Sequence, residues 1–385
     1  MLCSMNLNKQ GYGDKTHLVE ELRNLKKLGN DVLLVAPGYK PISKEKFPFD
    51  VYYIPVGKKG YSTFIAYHFK LLWRIGKILE EFRPDVVYSR SIMNSFLIYK
   101  ILKKRNIPLV IEQNDFVQEE LIRMGYPFLF AKVIGLIDRA NTHNCDGIVS
   151  VSVGLMRKLA RAYALPESKF TVIQNGADPE RCRPLNQKEM RRKFGLPETG
   201  FVVGYADYFR YYRKRLETLL KAGLILKEEG YNLKYVLINE GEAKDLDVIS
   251  DLTKGYSLGE ELFIFNKLDY FDFPQIINTF DIALVLRENW IMECTPVKFF
   301  EYLFSGIPVI YTRNVHENTY FPTRVGFRIK SLCVSELVEA LRKALVESKE
   351  IKEELLLHRE ELVERYSWLG CAKRLEKFFQ AKIKS

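Results

Sequence analysis

Short runs of apolar, β-branched residues alternate along the chain with stretches whose apolar positions repeat every three or four residues. DVLLVAP (31–37), DVVYSR (85–90), PLVIEQ (108–113), GIVSVS (147–152) and FTVIQN (170–175) are bounded by turn formers and predict strands. HLVEELRNLKKLG (17–29) and VGLMRKLARAYAL (153–165) carry the helical period and lie between them. Such alternation predicts a parallel sheet with helices on both faces. The series restarts with FVVGYA (201–206), KYVLIN (234–239), LFIFN (262–266), IALVL (282–286) and IPVIYT (307–312). A polar, proline-marked segment near 176–197 separates the two series and reads as a linker. The expected architecture is α/β, two doubly wound parallel-sheet domains at 1–185 and 186–365 facing a cleft.

Composition agrees with this picture. A chain of 385 residues is long for one core, and 47% hydrophobic with 28% charged residues suits a soluble globular protein. No apolar run approaches the roughly 20 residues of a membrane span. Asn6 to Lys15 is polar where a secretory signal would be apolar. The first apolar segment, MLCSMNL, is short for a leading strand, as it would be if translation started further upstream. Six cysteines without a C-x-x-C pair point to reduced thiols and away from structural zinc. Neither half carries G-x-G-x-x-G or a Walker loop, which disfavours a dinucleotide site and a P-loop. The net charge of +11 is uneven. Residues 1–185 hold 28 Lys and Arg against 18 Asp and Glu; the remainder holds 31 against 30. The first half therefore suits an anionic partner, a phospholipid surface or phosphorylated substrate among them, or carries a solubilising surplus.

Three stretches could carry chemistry. In QGYGDKTHLVEEL, Gly11 and Gly13 stand between the first strand and a helix, where backbone can approach an anion. In ADYFRYYRKRLETLL (206–220), a strand expected to end at Gly204 leads into Arg210, Arg213, Lys214 and Arg215 among aromatic rings. Cations before a helix oppose its dipole, so their placement points to a pyrophosphate. In ECTPVKFFEYLFSGIPVI (293–310), Thr295-Pro296 predicts a helix cap and first-turn proline, with free N–H groups over 295–298 except at Pro296, which has none. Glu293 falls before that helix and Glu301 inside it, between apolar neighbours; carboxylates accept bidentately from sugar hydroxyls.

The spacing Glu293-x7-Glu301 followed by GIPVI resembles the E-x7-E signature of retaining GT-B glycosyltransferases of family 4. GYGDKTHLVEELRNLKKLGNDVLLVAP is similar to that family's glycine-rich loop and first helix. DGIVSVSVGLMRKLARAYALPESKFTVIQNGADPERCRP is similar to its interdomain segment, and YSWLGCAKRLEKFF (366–379) to its closing helix, which crosses back onto the first domain. The resemblance implies a GT-B fold of two Rossmann-like domains: an acceptor domain at 1–185 with helix 366–385, and a nucleotide-sugar domain at 186–365. It implies that Gly13 approaches the donor phosphates, and that Lys214 with Arg210 or Arg213 binds the diphosphate. Thr295, Val297 and Lys298 would complete the phosphate pocket, Glu301 would hold the ribose, and Glu293 the transferred sugar. Glu293, Lys214 and Arg213 become the expected catalytic residues. The chain departs from the family at Tyr205, where arginine is usual, and at IEQND, where many members have histidine.

The resemblance also implies a reaction that needs no Asp-x-Asp metal site, so no metal or other cofactor is expected. The departing diphosphate would be stabilised by preorganised cations and helix-end amides. Arg90, Asn114, Asp115 and Glu119 end strands or begin helices of the basic domain and are the acceptor-side candidates. FIAYHFKLLWRIGKIL (64–79) and GYPFLFAKVIGLIDR (125–139) read either as core helices or as interfacial helices resting on an anionic membrane. The expected protein is cytoplasmic, at the inner face of a membrane, with a nucleotide-sugar donor and a glycan, lipid-linked or phosphorylated acceptor. The alternative is a catalytically silent scaffold of the same fold. Nucleic-acid binding through the arginine-tyrosine loop is disfavoured, because the basic excess lies in the other half.

Overall fold

A computed structural model describes residues 1–7, 12–40, 47–58, 60–241, 246–256, 258–266, 268, 272–288, 295–315 and 320–384, with the side chains of 12–14, 61 and 248 excepted. The chain forms two compact units; one contains Asp14–Gln174 and Trp368–Ser385, the other Asn175–Ser367.

In the first unit the strands are β1 (Leu2–Cys3), β2 (Leu33–Tyr39), β3 (Asp50–Gly57), β4 (Val87–Arg90), β5 (Leu109–Gln113), β6 (Gly147–Ser150) and β7 (Phe170–Val172). They form one parallel sheet in the order β3-β2-β1-β4-β5-β6-β7, so the winding direction reverses between β1 and β4. The helices are α1 (Tyr12–Lys27), α2 (Tyr61–Phe82), α3 (Ser95–Lys103), α4 (Val117–Arg123), α5 (Phe128–His143) and α6 (Val153–Tyr163). Ser152 caps α6 by accepting from the Leu155 amide.

The second unit runs α7 (Gln187–Lys193), β8 (Phe201–Asp207), α8 (Arg213–Glu228), β9 (Leu233–Asn239), α9 (Leu246–Lys254), β10 (Leu262–Asn266), α10 (Phe273–Ile277), β11 (Ile282–Val285), α11 (Val297–Phe304), β12 (Val309–Thr312), β13 (Gly326–Ile329), α12 (Val334–Leu357) and α13 (Arg359–Tyr366). Its sheet order is β10-β9-β8-β11-β12-β13, with the reversal between β8 and β11. Every strand pair is parallel in both sheets.

The last helix, α14 (Trp368–Ile383), returns to the first unit. Trp368 packs on the His17 ring at 5.1 Å between centroids, and Phe379 packs edge-on against Tyr88. Residues 175–185, grouped with the first domain in the sequence reading, join the second unit. Ala177 pairs with Ser367 there, and Arg181 pairs with Glu301.

Two strands lie beyond those read from the sequence. β3 follows β2 without an intervening helix, and β13 is a short edge strand, so neither shows the strand-helix rhythm. β8 runs one residue past the expected 201–206, to Asp207. Gly204 is a packing position: a Cβ there would meet the Phe280 ring at 2.1 Å. Among the described residues, Cys3, Cys145, Cys182, Cys333 and Cys371 are free thiols, and no helix is long and apolar enough to cross a membrane.

Candidate active site

In the second unit, β8 and β11 deliver their following loops to the place where the sheet order reverses, where open α/β sheets bind ligands. α11 follows β11 and, apart from Lys298 and Glu301, is apolar. Phe299, Phe300, Tyr302, Leu303 and Phe304 have no exposed surface, so the core fixes this helix rigidly. Gly306 ends it at φ +73, a left-handed turn suited to glycine.

The beginning of α11 differs from expectation. Thr295 does not cap it. Its hydroxyl donates to the Val315 carbonyl at 2.8 Å, and its own carbonyl accepts from Asn175 Nδ2 at 2.8 Å. Pro296 occupies the cap position without a side-chain bond, and Val297 is the first helical residue. The tertiary bonds to Thr295 outcompete the local cap and pin the chain entering the helix.

Lys298 lies in the first turn, where its charge opposes the helix dipole. Two acceptors hold it there: Nζ donates to the Ala206 carbonyl and to Glu240 Oε2, each at 2.6 Å. A single ammonium thereby ties α11 to the carboxyl ends of β8 and β9. Burial pushes the Glu240 carboxyl up, and Lys298 opposes that shift.

Glu301 is fully buried and receives a short hydrogen bond from Arg181 Nη2. Glu301, expected on a ribose, turns one of its oxygens to this guanidinium. Glu293 lies outside the described residues.

Of the four cations after β8, only Arg215 turns inward. Nη1 donates to Asp207 at 2.9 Å, Nη2 to Glu288 at 2.6 Å, and its guanidinium stacks 3.6 Å from the Tyr212 ring centre. Tyr205, where the family usually has arginine, donates its hydroxyl to Asp207 at 2.7 Å. Burial alone would raise the Asp207 pKa, but Arg215 outweighs it and holds the carboxyl below its ordinary range. Arg210, Arg213 and Lys214 are exposed; the last two open α8, which begins at Arg213. The unit thus sets exposed cations, a buried ion triad and the first turn of α11 at the carboxyl ends of neighbouring strands. Such an arrangement can receive an anion and stabilise charge developing on it.

Three of the acceptor-side candidates of the first unit are held by partners within that unit. The Asp115 carboxylate accepts from Arg123 Nη2 at 3.1 and 3.0 Å and from the Phe116 amide at 2.8 Å, and Glu119 pairs with Lys158. Asn114 is half-buried. Arg90 is buried, because its register partner across β4 and β5 is Glu112, which takes Arg90 Nη1 at 3.4 Å. Gly13 lies in the first turn of α1.

Beside Arg90 stands a group that the sequence reading missed. His17 Nε2 is 3.0 Å from Glu112 and 3.9 Å from Glu21, all three buried. Their ligand atoms lie within 4.8 Å of one another, close enough to hold a metal ion. The Arg90 guanidinium and a His17 ring raised to about 9 already supply positive charge, so the group forms a closed ion network. A glutamate inside the apolar strand PLVIEQ was the available signal for it, as Asp207 at a strand end was for the triad.

Comparison with known proteins agrees with this geometry. The family model Glycosyltransferase Family 4 matches residues 13–181, and Glycosyl transferases group 1 matches residues 186–355. Sucrose-phosphate synthase from Thermosynechococcus elongatus superposes with a TM-score of 0.80 at 14% identity, covering 99% of this chain and 98% of that one. A glycosyltransferase from Rickettsia africae gives 0.74 at 15%, covering 100% and 98%. HepE from Anabaena, solved in complex with UDP-glucose, gives 0.73 at 13%, covering 99% of both chains. No curated protein matches the sequence. The fold and these matches define a two-domain α/β glycosyltransferase of the GT-B type. The chain belongs to glycosyltransferase family 4.

Proposed function

We propose that the chain transfers a hexose from a UDP- or GDP-linked donor to a glycan, lipid-linked or phosphorylated acceptor, with retention at the anomeric carbon and without a metal. The observation that carries this reading is the Lys298 bridge. It fixes the first turn of α11 at the carboxyl ends of β8 and β9, beside the strand-order reversal and near the cations that open α8.

On this reading the diphosphate meets the amides of the first turn of α11 together with Lys214 and Arg213 or Arg210, and Glu301 and Glu293 take the sugars. Negative charge growing on the leaving oxygen is met by donors already in place. The acceptor attacks from the face the diphosphate leaves, and the leaving phosphate takes its proton. The UDP-glucose held by HepE supports a uridine donor among the two. The basic first half supports work at the cytoplasmic face of an anionic membrane.

The test is a panel of UDP- and GDP-hexoses scored by thermal shift and by donor hydrolysis with EDTA present. The reading expects one donor to raise Tm and turn over, with Glu301→Gln losing that shift. Silence toward every donor, or turnover abolished by EDTA, contradicts it.

A further inference from the structure

The first unit exposes apolar side chains that folding would ordinarily hide. On α2, Ile65, Phe69 and Trp73 repeat every four residues on one face, and Phe69 and Trp73 are 71% and 89% exposed. On α5, Phe128, Leu129, Val133 and Leu136 form a second exposed patch.

The two patches belong to one layer. The steps β3 to β4, β4 to β5 and β5 to β6 all move the same way across the sheet, and right-handed crossovers put α2, α3 and α5 on one side of it. α3 packs against both of the others: Asn94 Nδ2 donates to the His68 carbonyl of α2, and the Phe96 amide donates to Asn141 Oδ1 of α5.

The charges among these residues share one sign. Lys70, Arg74 and Lys77 stand beside Phe69 and Trp73, and Lys132 adjoins Val133, all exposed; Lys77 also lies 3.6 Å from Glu81, at the end of α2. No Asp or Glu occurs from 61 to 79 or from 128 to 137. Long cationic side chains interleaved with an exposed tryptophan match a lipid interface, where aromatic rings sit at headgroup depth and ammonium groups reach phosphate. A protein–protein contact would more usually have a charge-poor centre.

We propose that the outer face of α2 and α5 is a docking surface for an anionic lipid bilayer, with Phe69, Trp73 and Leu129 entering the headgroup boundary and Lys70, Arg74, Lys77 and Lys132 holding lipid phosphates. This deepens the lipid-linked reading above by naming the surface that meets the membrane, and it stands on that face alone, independently of the donor chemistry.

The full-length protein is sedimented with phosphatidylglycerol vesicles and with phosphatidylcholine vesicles. The proposal expects binding to the first, weakening with salt, with Trp73 emission shifted to the blue and quenched by brominated lipid. Trp73→Ser with Phe69→Ser should lower binding at least tenfold, and each of Lys70→Glu and Arg74→Glu about fivefold. These residues are exposed, so unchanged Tm in the variants keeps folding out of the reading. Equal binding to both lipids, no binding, or a dimer in solution that Trp73→Ser dissolves would overturn it. Donor-induced thermal shift, measured without vesicles on the same variants, reports separately on the transfer reaction.

Discussion

His17 Nε2 lies 3.0 Å from Glu112 Oε1, with both side chains sealed from water between α1 and β5. Burial alone would lower the histidine, but Glu112 outweighs it and raises the ring from 6.5 to about 9. For Glu112, burial pulls upward while Arg90 and His17 pull harder downward, from 4.5 to about 2. The histidine contribution is complete below 6.5 and lost as pH rises through about 9; the glutamate contribution is present above 4.5 and lost as pH falls toward 2. Thermal denaturation across pH should therefore show Tm falling between 6.5 and 9, and His17→Gln should flatten that limb. An unchanged alkaline limb in the variant would contradict the network.

Arg215 separates two buried carboxylates, Asp207 and Glu288. Arg215→Met leaves both without their cation and should cost about 3–5 kcal/mol in urea denaturation. Adding Glu288→Gln should recover part of that loss, because one uncompensated charge is then gone.

Gly204 faces the Phe280 ring across a distance that no Cβ tolerates. Gly204→Ala should destabilise by at least about 1–3 kcal/mol through overpacking. Gly204→Ala with Phe280→Leu should be less destabilised than the sum of the two single changes, which a double-mutant cycle measures.

Lys298 bridges Ala206 and Glu240 at the strand ends where the donor phosphates are proposed to sit. Lys298→Met removes a charged donor worth about 1.5–3 kcal/mol and should weaken donor binding about 10- to 100-fold in calorimetry. Unaltered donor affinity would move the phosphate site elsewhere.

Lys214 is exposed, so Lys214→Ala should leave Tm in place. Loss of one preorganised donor to a leaving diphosphate predicts a fall in kcat of about 10²–10³. A change confined to KM would make Lys214 a binding group only.

Much of this protein was legible as pattern. The two strand series, the long amphipathic helices and the Glu-x7-Glu segment all read from local periodicity, because side-chain spacing in helices and strands is set by the backbone. β3 and β13 escaped for the same reason: they lack the alternation with helices that marks their neighbours. The cap expected at Thr295 failed because a tertiary acceptor, the Val315 carbonyl, competes for its hydroxyl.

The sequence by itself determined two parallel α/β units, an apolar α11 with a carboxylate inside it, and cations opening α8. Only the tertiary structure decided which charges are spent on one another. Arg215 with Glu288, Lys298 with Glu240, and His17 with Glu112 meet across elements far apart in the chain. Their pairing follows from burial, since an ion removed from water persists only beside its opposite, and no local spacing reveals which opposite that is.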